Sequence, residues 1–179
     1  MQELLGNWVG ALVSMVDMRL AAVGGDHGST DIGAVLTCFS FPDVTVSELG
    51  KVLGLTNSGA VRLVNRLERD GLLARQERQG RVVTVKLTDH GRRLAKDLQR
   101  RRLAVVDDLL SSLVLDERQQ LAVMLDKVLH DARLEPEQAR RACRFCDHRC
   151  CDGDACPIGR SVRERGQATQ SGAMPGMGG

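Results

Sequence analysis

Between Thr45 and Gly71 the chain sets two helix starts and two helix stops in close succession, and few folds can absorb that pattern. Thr45-Val46-Ser47-Glu48 is a capping box: the threonine hydroxyl can accept from the Glu48 amide while the Glu48 carboxylate reaches back to the Thr45 amide. A short helix therefore starts there, with Leu49, Val52 and Leu53 as its apolar face, and Gly54 supplies the left-handed exit that ends it. Leu55 and Thr56 form the turn, and Thr56 caps a second helix predicted over residues 57–70. In it Ala60, Leu63, Val64 and Leu67 fall at i, i+3, i+4 and i+7 and face the core, while Ser58, Arg62, Asn65 and Arg69 line the opposite side. Two short helices joined by a tight turn form a helix-turn-helix unit.

The flanks place this unit in a mainly α fold with a small β wing. Residues 72–76 and 82–87 read as two strands, with Glu77 to Arg81 as the hairpin tip and Gly80 able to take positive φ. Thr88 caps a long helix to about Ser112 with a stripe of Leu94, Leu98, Val105 and Leu109. Asp116 caps another, with Leu121, Leu125, Val128 and Leu129 turned inward. Upstream, Leu4, Leu5, Trp8, Leu12, Val16 and Leu20 mark one helix over residues 3–23. Asp31 is positioned to cap a second helix through Phe41, which Pro42 stops. The aromatic residues are Trp8, Phe39, Phe41 and Phe145, with no Tyr, so the core must be aliphatic. The opening MQELLGNW has an acid and no basic region, and Val9 to Val16 is too short to span a bilayer, so a cytoplasmic protein is expected. Asp26, His27 and Ser29 superficially suggest a catalytic triad, but three polar residues in a Gly-rich turn are ordinary loop chemistry.

Charge is distributed unevenly. Residues 57–102 hold thirteen Lys and Arg against five Asp and Glu, a balance of +8 in a chain whose total is +2. The remainder therefore carries −6. A near-neutral total thus hides a cationic middle centred on the helix-turn-helix and hairpin, the footprint of a phosphate-binding surface.

On these residues the sequence resembles the MarR family of winged helix-turn-helix transcription regulators. Residues 55–72, LTNSGAVRLVNRLERDGL, are similar to that family's recognition helix, and Gly80-Arg81 followed by Leu87-Thr88-Asp89-His90-Gly91 to its wing and exit. The resemblance covers roughly residues 1–132 in element order. In one place the chain departs from it: the family's wing places Asp two residues before its Arg, whereas Gln79 precedes Arg81 here, removing a carboxylate that would orient the guanidinium.

The resemblance implies a homodimer, joined through its N-terminal helix and last long helices, that places two recognition helices about 34 Å apart on an inverted repeat of double-stranded DNA. It implies base-edge contact by Asn57, Ser58, Val61, Arg62 and Asn65, with Arg62 foremost because an Arg–guanine pair discriminates by about 1–3 kcal/mol. Ser47, Thr56, Arg66 and Arg69 suit phosphates, and Arg78 and Arg81 suit the wing's groove or backbone contact. The family's usual sign is repression, relieved by a small-molecule or redox signal. An aliphatic effector pocket would draw on Trp8, Leu12 and Phe39.

Beyond this domain, taken as residues 1–134, lies a cysteine-rich extension over 135–160. Residues 161–179, rich in Gly, Ser, Gln and Met, read as a disordered tail. Cys143-x2-Cys146-x4-Cys151-x4-Cys156 has the spacing of a four-ligand metal knuckle, and Cys150 can replace Cys151 in an alternative register. Zn2+ is the expected ion, with an iron–sulfur cluster as the alternative, because four thiolates satisfy both. His148, Asp147, Asp152 and Asp154 are substitutes or neighbours of the ligands. A structural staple is favoured over a sensor. Cys38 reads as a small core residue. The rival function is a redox or electron-transfer protein centred on the cysteines, and a third is a helical adaptor. No nucleophile elbow, phosphate-binding loop or HExxH motif points to an enzyme.

Overall fold

The computed structural model describes residues 2–78 and 82–171, with side chains throughout except at 77, 78, 82 and 168–171. The chain divides between Leu113 and Val114 into two units.

The first unit runs α1 (Gln2–Val23), α2 (Ser29–Ser40), β1 (Val44–Thr45), α3 (Val46–Leu53), α4 (Asn57–Arg69), β2 (Leu73–Arg78), β3 (Val82–Leu87) and α5 (Asp89–Leu109). The capping box forms as expected: Glu48 N–H donates to Thr45 Oγ1 at 3.1 Å and Thr45 N–H to Glu48 Oε2 at 2.9 Å. Gly54 ends α3 at φ 67°, and Thr56 Oγ1 accepts from Gly59 N–H at 3.2 Å to start α4. Ala60, Leu63, Val64 and Leu67 are all buried, so the apolar periodicity of α4 translates directly into packing against α3.

The three strands make an antiparallel sheet in the order β1-β3-β2, with Val44 opposite Val85 and Arg75 also opposite Val85 from the other side. The two-residue β1 has no periodicity to reveal it. Its pairing makes β3 a central strand, which explains why Thr84 is buried despite lying on the polar side of the expected alternation. The expected hairpin tip, including Gly80, falls at residues 79–81 and outside the described residues.

Asp31 does not cap α2. The helix begins at Ser29 behind Gly28, and Asp31, in its first turn, is buried with its carboxylate turned to Arg66 of α4. Cys38 lies in the core as expected, and burial pushes its thiol up to about 12. α1 runs along α5, where Arg19 meets Asp108 at 2.5 Å, yet no residue of α1 is buried.

The second unit holds α6 (Leu115–Asp131), α7 (Pro136–Ala142), a 3-10 turn (Gly153–Ala155) and α8 (Pro157–Ser171). Asp116 is not the cap of α6: that position is Val114, whose N–H donates to Glu117 Oε2 at 2.9 Å. Leu125, Val128 and Leu129, expected inward, are exposed in the single chain. Residues 157–171, most of them assigned to a disordered tail, are helical instead. Arg160 holds α8 to α6 through both oxygens of Asp126 at 2.9 and 2.8 Å, and Arg165 Nη1 donates to the Arg133 carbonyl at 2.8 Å. These tertiary contacts give the segment a partner that its composition does not advertise. Among the described residues no helix is long and apolar enough to cross a membrane.

Candidate functional site

α4 presents its polar side outward. Asn57, Ser58, Val61, Arg62, Asn65, Arg66 and Arg69 are all exposed, as are Thr56 at its start and Ser47 on α3. Every site residue expected from α3 and α4 is thus exposed. Arg62, Asn65, Arg66 and Arg69 also line a shallow groove with Glu68. The backing is rigid because both helices are capped and their inner faces are buried. Arg78 lies in β2 with its side chain outside the description, and Arg81 lies outside the described residues altogether.

The Ser58 and Thr56 hydroxyls lie 3.2 Å apart in a hydrogen bond, and two further outward side chains are held by residues of other elements, of which sequence periodicity gave no sign. Arg66 pairs with Asp31, whose carboxylate reaches it from α2. Asn65 Oδ1 accepts from Arg75 Nη2 at 2.7 Å, while Arg75 Nη1 pairs with Glu68 and the Arg75 amide donates to Glu68 Oε1 at 3.2 Å. Arg75 therefore clasps the middle of α4 to β2 of the wing. A guanidinium can only donate, and it takes one lone pair of Oδ1, so Asn65 offers chiefly its NH2 donors outward. The chemistry of the surface is cationic and donor-rich, suited to phosphate oxygens and to acceptor edges of bases.

This geometry agrees with the comparisons. The MarR family model matches residues 40–81, the stretch from the end of α2 through α3, α4 and β2 to the hairpin. The chain has the winged-helix fold of MarR-family structures, and its helix-turn-helix segment matches that family's model. A MarR family protein from Bacillus stearothermophilus is similar at 23% identity and TM-score 0.67, covering 73% of this chain and 94% of that one. The wild-type MarR of E. coli in its apo form is 25% identical with a TM-score of 0.55, over 67% of this chain and 96% of the other. Streptococcus pneumoniae FabT, in complex with DNA, is 22% identical with a TM-score of 0.59, over 71% and 93%. The sequence matches none of the curated proteins with which it was compared.

Of the residues expected in an effector pocket, Trp8 is 62% exposed and Leu12 46% in the single chain, while Phe39 is half-buried in α2. In contrast, both amide atoms of Gln99 on α5 and the hydroxyl of Thr37 on α2 are buried without a hydrogen-bond partner, a feature that helical periodicity cannot reveal.

In the second unit the cysteines divide into two kinds. Cys143 and Cys151 pack against the small cluster of Ala139, Cys156 and Ile158. Contact with Cys146, then burial, pushes the Cys143 thiol up, while burial first and the neighbouring sulfurs second push Cys151 up to about 12. Cys150 is exposed, and its thiol donates to the Asp147 carbonyl at 3.4 Å. Both carboxylate oxygens of Asp147 accept from Arg149, at 2.9 and 2.7 Å. Among the described residues, no three or more His, Cys, Asp and Glu side chains stand ready, as they are, to hold a metal ion.

Proposed function

We propose that this chain is a sequence-reading DNA-binding transcriptional regulator that acts as a homodimer on an inverted repeat. The observation that carries the reading is the α4 surface: a buried aliphatic back and an exposed row of Arg62, Asn65, Arg66 and Arg69, held at fixed orientation by two caps and by Arg75. The likeness of the fold to FabT, which was solved with DNA, supports the same use of the helix here. Arg62 reads a guanine through its fork of donors, with Asn57, Ser58, Val61 and Asn65 beside it. Ser47, Thr56, Arg66 and Arg69 hold phosphates and fix the register, with Arg78 and Arg81 of the wing reaching the flanking groove or backbone.

A second copy is the partner that suits the exposed apolar residues of α1, among them Leu4, Leu5, Trp8, Val9 and Val13, and those of α6, such as Val123 and Val128. Clusters of large apolar side chains on a protein surface mark places where another surface docks. Two-fold pairing would set two α4 helices about one DNA turn apart. Repression, and its release by a small-molecule or redox signal, extend the reading through the MarR likeness, and this role places the protein in the cytoplasm.

The test is fluorescence anisotropy of the full chain on DNA from upstream of its own coding sequence and on random DNA, across salt concentration. Arg62→Ala should lose about 1–3 kcal/mol of preference for the specific duplex. Arg66→Ala should weaken both duplexes alike and reduce the salt slope by about one. If neither substitution alters binding, or if the wild-type chain shows no salt-dependent affinity, the reading fails.

A further inference from the structure

The cysteine spacing leaves two registers open, and the fold of the second unit separates them. Cys143 ends α7, and its carbonyl accepts from the Cys146 amide at 2.9 Å, closing a turn that brings the two thiols to the same side. The Cys151 amide donates to the Asp147 carbonyl at 2.9 Å, and the half-buried Cys151 joins Cys143 in packing against Ala139, Cys156 and Ile158. Cys156 immediately precedes α8, and its Sγ accepts from the Gly159 amide at 3.2 Å. Cys143 and Cys151 thus both pack against the cluster that holds Cys156, and Cys146 and Cys156 are close enough to push the thiols of both of them up. Cys150 points away from that cluster, into solvent and toward the Asp147 carbonyl.

From this cluster we infer that Cys143, Cys146, Cys151 and Cys156 bind one thiophilic, tetrahedrally coordinated divalent ion of the zinc class, and that Cys150 is not a ligand. Four thiolates about 2.3 Å from a central zinc lie roughly 3.8 Å from one another. The side chains do not converge on one point as they stand, so the inference requires them to close around the ion on binding. An iron–sulfur cluster fits less well, because its own iron–sulfide body would hold the four thiolates apart. Asp147 is not available to replace a cysteine, since Arg149 occupies both of its oxygens.

The ion has structural work to do. Ala139, Cys156 and Ile158 form the buried core here, a small apolar cluster to hold α7 and α8 together. Small units with so little core generally depend on a metal or disulfides. The four ligands come from the end of α7, the turns after it and the start of α8, so one ion would tie every connection in this segment. The inference is independent of the DNA-binding reading, since none of these residues lies in α3, α4 or the wing.

The full chain, reduced and stripped of metal with a chelator, should be titrated with cobalt(II) and then zinc(II). The expected result is the absorption of a tetrahedral cobalt–tetrathiolate that saturates at one ion per chain and is displaced by zinc. Cys150→Ser should give the same titration, and Cys151→Ser should lose the tetrathiolate spectrum. A mutation-free readout accompanies it: alkylation of the zinc-loaded wild type should modify Cys150 and spare the four ligands, which become reactive when zinc is removed. A titration without a tetrahedral cobalt band, loss of the band in Cys150→Ser, equal alkylation with and without zinc, or isolation of the protein with iron and acid-labile sulfide would each overturn the inference.

Discussion

Gly91→Ala inverts the effect that helix propensity alone assigns to it. Gly91 lies in the first turn of α5, where alanine should be better than glycine by about 1 kcal/mol. A Cβ at that position, however, would stand 2.1 Å from the Leu72 carbonyl oxygen and 3.0 Å from Leu87 Cδ2. Non-bonded heavy atoms settle at about 3.5 Å, so roughly an ångström of backbone movement is required. That backbone is pinned: the Leu72 carbonyl accepts from the Thr88 amide at 3.0 Å, and Thr88 Oγ1 both donates to the Gly71 carbonyl at 2.6 Å and accepts from the Gly91 amide at 3.0 Å. Overpacking of a tight site costs about 1–3 kcal/mol. Strained junction hydrogen bonds add about 1 kcal/mol each. Against the small gain in propensity, the net destabilisation is about 2–4 kcal/mol, or a fall in Tm of roughly 5–15 °C for a chain of this size. Urea and thermal unfolding followed by circular dichroism measure it, with Gly6→Ala on the open face of α1 as the control that should not destabilise. The junction also fixes where the wing ends and α5 begins, so DNA affinity should fall with stability. If Gly91→Ala melts at or above the wild-type temperature, the close-approach argument is wrong.

Two further outcomes follow from the side-chain contacts. With one lone pair of its Oδ1 engaged by Arg75, Asn65 offers chiefly its NH2 donors outward and should favour guanine or thymine acceptors over adenine, which requires a donor and an acceptor together. Arg75→Ala should relax that preference in binding to base-substituted duplexes, and lose about 1 kcal/mol of stability given the partial exposure of its pair with Glu68; an unchanged preference would show that the clasp does not govern Asn65. Hydrogen bonds to Asp131 first and Glu164 second raise the pKa of His130, against opposing effects of desolvation and Arg160. The folded value lies above the unfolded one of about 6.5, so the stability this contact adds is full below that value and is lost as pH rises through the folded value. Hydrogen exchange of α6 and α8 across that range should show the loss in the wild type and its absence in His130→Gln; equal pH dependence in both would sink the argument.

Local chemistry alone determined the reading unit of this protein. The Thr45 and Thr56 caps, the left-handed Gly54 and the spacing of Ala60, Leu63, Val64 and Leu67 act within a turn or two of chain, and a signal that short survives in the sequence. The four-cysteine spacing is legible for the same reason. Tertiary structure decided what depends on partners distant along the chain. Asp31 looked like a cap and is instead the anchor of Arg66, and Asn65 looked free and is engaged by a strand residue ten positions away. Cys150 meets the Asp147 carbonyl and stays exposed while Cys151 packs inward, and residues 157–171 became a helix because Arg160 and Arg165 found acceptors on and just after α6. Periodicity reports which face of a helix is apolar, but what meets that face is settled only when the elements are packed. The apolar stripes of α1 and α6 therefore stayed exposed in a chain taken alone.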